Sequence, residues 1–284
     1  MISKVTTRSG RKAVTPSRSG WAPLRVRQWL GKYRIDARLG EGGFATVYKA
    51  FDSVLGLYVA IKAPHAQWVS DDLLKDFRRE VRLTSQLEHD HILQVKDASV
   101  IDGHFVIVFP LGERSLEARL AKRISLEHAM DIGWQLMEAV AFAHELGVIH
   151  CDIKPDNVIM FPHSQVRLAD FGIARVATKT VAASGTGTLG YMPAEQAMGK
   201  PSMRSDVFAM GMVLYRMLTG VLPEWPFDWP GPGYHRLRGR AHPDLIALLK
   251  RAIDPNPRKR FRDAAQMLVA FEELYDKALR HAKR

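Results

Sequence analysis

The run His150-Cys151-Asp152-Ile153-Lys154-Pro155-Asp156-Asn157-Val158 gathers a carboxylate, a cation and an amide into one short loop. It follows residues 126–146, whose apolar positions recur with helical period and stop at Gly147. In such a loop Asp152 can accept a proton from a hydroxyl nucleophile. Lys154 can neutralise charge on a transferring phosphoryl group, and the Asn157 amide oxygen can ligate Mg²⁺. Thirteen residues beyond Asn157 stands Asp170-Phe171-Gly172, which offers a second hard oxygen ligand. Any one of these pieces is an ordinary polar loop. All of them in this order are hard to reach by chance.

Upstream lies Leu39-Gly40-Glu41-Gly42-Gly43-Phe44-Ala45-Thr46-Val47. Glycines let backbone approach a phosphate with no Cβ in the way, and their amides can face the anion. A dinucleotide-binding turn would be followed at once by a helix; here a β-branched run follows. Val59-Ala60-Ile61-Lys62 then ends an apolar strand on a lysine. A cation beneath a phosphate-binding turn needs a carboxylate to hold it. Glu80, in Phe77-Arg78-Arg79-Glu80-Val81, can supply one from a helix expected over 71–87, capped by Asp71 or Ser70. Strand-like runs cover 33–39, 46–51, 57–62, 92–96 and 105–109. Beyond Leu116 the chain turns mostly helical, with helices over 206–218, ending at Gly220, and 263–282. A small β-rich part thus precedes a larger helical part, with no internal repeat.

Together these segments resemble the protein kinase family, from about 33 to 270. The resemblance implies an α+β, bilobal protein kinase fold. It has a small antiparallel β-rich N-lobe with one main helix (about 33–109), a hinge (about 109–112) and a larger, mostly helical C-lobe (about 113–284), with ATP held between the lobes. Carried over, Gly40, Glu41, Gly42, Gly43 and Phe44 form the loop over the phosphates, and Val47 and Ala60 flank the nucleotide. Lys62 contacts the α- and β-phosphates and Glu80 anchors it. Asp152 is the catalytic base, Lys154 touches the γ-phosphate, and Asn157 and Asp170 hold Mg²⁺, for which Mn²⁺ can substitute. Val108 is the expected gatekeeper, with Phe109 and Leu111 offering backbone groups to adenine; Pro110 lacks an N–H that the family does not use there. The order Asp-Ile-Lys-Pro-Asp-Asn is similar to the serine/threonine branch, in bacterial wording. Gly187-Thr188-Leu189-Gly190-Tyr191 resembles the substrate-receiving segment, with Thr188 bonded to Asp152 and Lys154. Ser205-Asp206-Val207-Phe208-Ala209-Met210-Gly211 resembles the buried helix whose Asp206 braces the catalytic loop. The implied activity is an ATP-dependent serine/threonine protein kinase, a signalling transferase. Its expected substrates are Ser/Thr hydroxyls of proteins, including its own Thr178, Thr180, Ser184 or Thr186.

Four departures stand out. Ala45 replaces the third glycine of the loop. The Ala-Pro-Glu triplet reads Pro193-Ala194-Glu195, and Glu195 is expected to pair with Arg260, or alternatively Arg258. Cys151 replaces the arginine before the base. Residues 222–230 form a Trp/Pro-rich insert, read as a packed loop over a docking surface.

The 284-residue length suggests one large domain or two modest ones. Hydrophobic residues at 46% and charged residues at 25% exclude a disordered chain, a collagen repeat and a coiled-coil rod. The single cysteine, Cys151, excludes an intrachain disulfide and favours a reducing, cytoplasmic setting. No apolar run is long enough to span a membrane. Lys plus Arg exceed Asp plus Glu by 41 to 30, a formal charge of +11. Much of the excess lies in residues 1–32, which read as a basic flexible tail, although an organelle transit peptide has the same composition. Two rival functions remain. A nucleotide-binding pseudokinase scaffold would usually lack one of Lys62, Asp152, Asn157 and Asp170. A nucleic-acid-binding protein would have to use the tail and Arg236, Arg238, Arg240 and 258–262, with no recognised motif, so nucleic acid is not an expected partner.

Overall fold

The computed structural model describes residues 23–43, 45–65, 78, 81–82, 84–171, 189–224 and 228–282. Period-two alternation builds the first lobe into one antiparallel sheet. Its strands are β1 (Trp29–Leu30), β2 (Tyr33–Glu41), β3 (Ala45–Asp52), β4 (Leu57–Pro64), β5 (Asp97–Ile101) and β6 (His104–Pro110), in spatial order β1-β2-β3-β4-β6-β5. Both faces are buried. One packs Tyr33, Ile35, Ile61, Val106 and Val108 together. The other carries Ala60, Ile107 and Phe109 against Leu93, Ile159 and Ala169, and forms the wall of the interlobe cleft. Residues directly opposite in a ladder share a face. Val47 opposite Lys62, and Lys62 opposite Ile107, therefore set Val47 and Lys62 on the cleft side.

Two expectations change here. Order begins before residue 33: Leu24 and Leu30 are buried in the sheet's outer cluster, and the Arg27 amide bonds to the Ile35 carbonyl, so the tail cannot run to 32. The run 92–96 is a tie between the lobes, and the strand lies at Asp97–Ile101. Ile92 bridges Leu168, the Leu93 amide bonds to the Leu168 carbonyl, and the Lys96 amide bonds to Val108. Of the helix expected over 71–87, the described residues Arg78, Val81, Arg82 and Thr84 are helical.

The second lobe starts with β7 (Arg114–Ser115) and α1 (Leu116–Leu120), followed by α2 (Leu126–Glu145). The short strand β8 (Val158–Met160) pairs with β7 on one side and β9 (Val166–Leu168) on the other, making a small sheet. Then come α3 (Ala194–Ala197), α4 (Met203–Thr219), α5 (Tyr234–Arg238), α6 (Pro243–Ala252) and α7 (Ala264–Ala282). Ser125 caps α2 by accepting the His128 amide, and Gly147 at φ 72° ends its course. Helix α4 is buried on nearly every side, and Gly220 at φ 73° stops it. Each of its fully buried Met, Leu and Phe side chains contributes about 1.5–3 kcal/mol. This stable pillar lies beneath the loop that carries Asp152.

Candidate active site

The glycine turn closes at its base, where the Gly42 amide bonds to the Ala45 carbonyl at 2.9 Å. Gly40, Gly42 and Gly43 have no left-handed φ. A Cβ added at Gly40 or Gly43 would touch nothing, and one at Gly42 would make only ordinary contact. The fold itself therefore does not demand glycine at these positions. Glycine leaves the backbone here open to close approach.

Below the turn, Lys62 is buried, and its Nζ donates to Asp170 Oδ1 at 2.7 Å. Burial alone would push the Asp170 carboxyl up; the charge and hydrogen bond of Lys62 outweigh it and hold the group below the usual carboxylate range. Asp170 adopts a left-handed φ of 65°. Glu80 and Phe44 lie outside the described residues.

The catalytic loop is gripped through its backbone. Asp206, on the first turn of α4, accepts the amides of His150 at 2.7 Å and Cys151 at 2.8 Å, and His144 Nε2 at 2.9 Å. The Ala264 amide donates to His144 Nδ1, which leaves the His144 proton on Nε2, facing Asp206. In the same way the Asp152 amide donates to His150 Nδ1, so His150 Nε2 donates to the Ala169 carbonyl. The His150 ring meets Phe171 edge-on at 4.6 Å. These donors answer the cost of burying the Asp206 charge. Cys151 is buried and held at φ 65°.

Three functional side chains meet at Asp152, whose side chain is 42% exposed and so reachable by a substrate. Lys154 Nζ lies 3.0 and 2.8 Å from its two oxygens. Asn157 Nδ2 donates to the Asp152 carbonyl at 2.8 Å and to Oδ2 at 2.9 Å. With its nitrogen on Asp152, what Asn157 offers a cation is its oxygen. The Ala169 amide bonds to the Asn157 carbonyl, linking this cluster to the neighbour of Asp170.

The gatekeeper expectation needs correction. Val108 packs on the outer face of the sheet, away from Ala60 and Lys62, and its carbonyl accepts the Lys96 amide. Phe109 stands opposite Ala60 and carries its ring on the cleft face. A one-residue slip in a strand exchanges faces, and the sequence alone left that register open. At Gly112 a Cβ would overlap Ile159 Cγ2 and lie 2.8 Å from the Met160 carbonyl oxygen, so the connection between the lobes runs directly over β8.

On the substrate side, Glu195 pairs with Arg260, not Arg258, at 2.6 Å, and accepts the Ser205 hydroxyl at 3.1 Å. Arg216 forks onto Glu117 at 2.5 and 2.7 Å and reaches the Tyr191 hydroxyl at 2.6 Å. Burial pushes that hydroxyl up to about 12. Trp229 of the insert packs edge-on against Tyr215 and Tyr234, as in a packed loop. Thr178, Thr180, Ser184, Thr186, Thr188 and 225–227 lie outside the described residues. Arg236 and Arg240 are spent on carbonyls of Leu218, Thr219 and Ile124, which weakens the nucleic-acid reading. Sequence reasoning missed His144, Arg216 and Gln196. Gln196 directly follows the singled-out Glu195, which was the available signal.

The protein kinase domain pattern matches residues 33–270, and the chain belongs to the protein kinase family. Serine/threonine-protein kinase PknA of Mycobacterium tuberculosis is 34% identical over 206 residues, covering 68% of this chain and 48% of the relative. A probable serine/threonine-protein kinase of Streptomyces coelicolor is 31% identical over 271 residues, covering 87% of this chain and 40% of the relative. The chain thus spans less than half the length of both. The crystal structure of the M. tuberculosis PknI kinase domain shares the fold, with a TM-score of 0.69 at 23% identity, covering 89% of this chain and 99% of that one. Among the described residues, no helix is long and apolar enough to cross a membrane.

Proposed function

We propose that this chain transfers the γ-phosphate of ATP to Ser or Thr hydroxyls of proteins, itself included. The observation that carries the reading is the convergence of Lys154 and Asn157 on Asp152, with Lys62 paired to Asp170 nearby. The substrate hydroxyl oxygen attacks the γ-phosphorus, the bond to the β–γ bridging oxygen breaks, and ADP leaves. Asp152 takes the hydroxyl proton. Lys154 moves from Asp152 to the phosphoryl oxygens as their charge spreads, and Lys62 steadies the α- and β-phosphates. Rate comes from positioning and charge neutralisation.

Asn157 and Asp170 fit Mg²⁺ or Mn²⁺, because both are hard oxygen donors. Among the described residues there is no dense His/Cys/Asp/Glu cluster, which suits a small cation that keeps waters and phosphate oxygens in its shell. When bound, the ion neutralises phosphate charge. The corrected register moves the adenine contacts from Phe109 and Leu111 to the Pro110 carbonyl and Gly112, with Phe109 at the back of the pocket. A proline suits the first position because only its acceptor is used. The catalytic domain would include Leu24 and Leu30, which pack on the N-lobe sheet, with N-lobe, hinge and C-lobe otherwise as read from the sequence. A single, buried cysteine suits the cytoplasm.

The test is incubation with labelled ATP, Mg²⁺ and a generic basic protein, using the parent and Asp152→Asn. Transfer by the parent, reduced by orders of magnitude in Asp152→Asn with ATP affinity kept, is expected. Transfer at the parent rate by Asp152→Asn would refute the assignment.

A further inference from the structure

The peptide unit between Cys151 and Asp152 is planar, so fixing both its ends fixes its orientation. Its N–H end donates to His150 Nδ1 at 3.1 Å. Its C=O end, on Cys151, is an acceptor and needs a donor, which the Asp206 carboxylate, itself accepting the amides of His150 and Cys151, cannot be. Gln196 on α3, 4% exposed, donates its Nε2 to that carbonyl at 2.5 Å. The amide nitrogen is the only end of glutamine that can face a carbonyl oxygen.

These contacts close a ring. Asp206 holds the Cys151 amide; Gln196 holds the Cys151 carbonyl. Next to Gln196, Glu195 accepts the hydroxyl of Ser205, and Ser205 precedes Asp206 on α4. Two adjacent residues of α3 and two adjacent residues of α4 thus clamp one left-handed residue, Cys151, from both sides. Arg260 locks the α3 side through Glu195.

We propose that Gln196 is a positioning residue for phosphoryl transfer: it fixes the peptide plane from which Asp152 projects, coupling the end of the substrate segment to the catalytic base. The proposal rests on the kinase reading above. Without Gln196 the Cys151 carbonyl loses this donor and the plane can turn. Misplacing a reacting group by about 1 Å costs on the order of 100-fold in rate.

The experiment compares the parent with Gln196→Met, which keeps shape without a donor, and Gln196→Glu, which donates only when protonated. We measure kcat on a peptide, binding of a fluorescent ATP analogue, and thermal unfolding, from about pH 5.5 to 8.5. Gln196→Met should lose roughly 10–100-fold in kcat at every pH, with nucleotide affinity unchanged. Gln196→Glu should lose as much at high pH and recover toward the parent as pH falls. Glu195, Arg260, Asp206, His150 and Asp152 face this network and are common to all three proteins, so the comparison is made as a variant-to-parent ratio. A Gln196→Met protein with parental kcat, or a flat Gln196→Glu ratio, would overturn the proposal alone. If Gln196→Met does not fold, the Gln196→Glu ratio decides. A parent that transfers no phosphate would overturn the kinase reading and this one with it.

Discussion

Arg260 has a side chain only 1% exposed, and its partner Glu195 is 17% exposed, so this pair lives largely out of water. Replacing Arg260 by Met keeps most of the volume and removes the charge. It strands Glu195 with the Ser205 hydroxyl alone. It also removes donors from the carbonyls of Asp254, Arg204 and Pro255, and the stack over Phe208 at 4.7 Å. Breaking a buried pair from one side costs about 3–5 kcal/mol. Glu195→Gln should cost less, about 1.5–3 kcal/mol, because Arg260 keeps its three carbonyls and a neutral oxygen to bond. The double variant removes both charges and should cost less than the sum, with a coupling of about 0.5–3 kcal/mol. Urea unfolding followed by tryptophan fluorescence measures all four corners. An Arg260→Met cost under about 1 kcal/mol, or strict additivity, would refute the argument that this pair holds the segment's end.

Gly112→Ala should cost about 1–3 kcal/mol of stability and weaken nucleotide binding, since its Cβ meets the Met160 backbone, which cannot yield; calorimetry and ATP-analogue titration check both. Phe109→Ala should admit inhibitors with a bulky group projecting behind adenine. Val108→Met should only overpack the outer face; a selective loss of such inhibitors in Val108→Met would restore Val108 as gatekeeper. The Asp170 carboxyl is held below its ordinary 3.8, so it contributes stability above that pH, lost as pH falls through its lower folded value. Lys62→Met takes the closest cation from this half-buried carboxylate, so its stability deficit should be largest at neutral pH and shrink as pH falls and the carboxyl protonates; a pH-independent deficit in urea titrations would contradict this.

How much of this was legible in sequence follows from how local each signal is. The catalytic loop, the glycine turn and the helix stops at Gly147 and Gly220 are encoded by neighbours in the chain, so spacing and turn chemistry found them. The choice of Arg260 over Arg258 was legible because Arg260 precedes the buried Phe261. The register of β6 was not: Phe105-Val106-Ile107-Val108 is apolar throughout, and a strand buried on both faces carries no alternation to say which residue looks into the cleft. The strand at Asp97–Ile101 was missed for the opposite reason, since its more apolar neighbour 92–96 bonds across two lobes. His144 and Gln196 act through contacts 62 and 45 residues away, and no local pattern marks such partners.

The same distinction bears on Cys151. A cysteine lacks the guanidinium fork that an activation-segment phosphate could grip. The backbone of this loop is gripped by side chains from elsewhere in the fold. Asp206 holds the amides on either side of the His150–Cys151 junction, His150 and Gln196 hold the two ends of the next peptide, and all of these groups except the Cys151 and Asp152 backbones belong to buried side chains. Cys151 meets them at a left-handed φ of 65°. The contacts of α3 and α4 hold the catalytic loop itself without a phosphate. Dephosphorylated protein should therefore keep most of its initial rate on an exogenous peptide. Near-complete loss of that rate, restored by rephosphorylation, would show that the loop needs a phosphate despite these contacts.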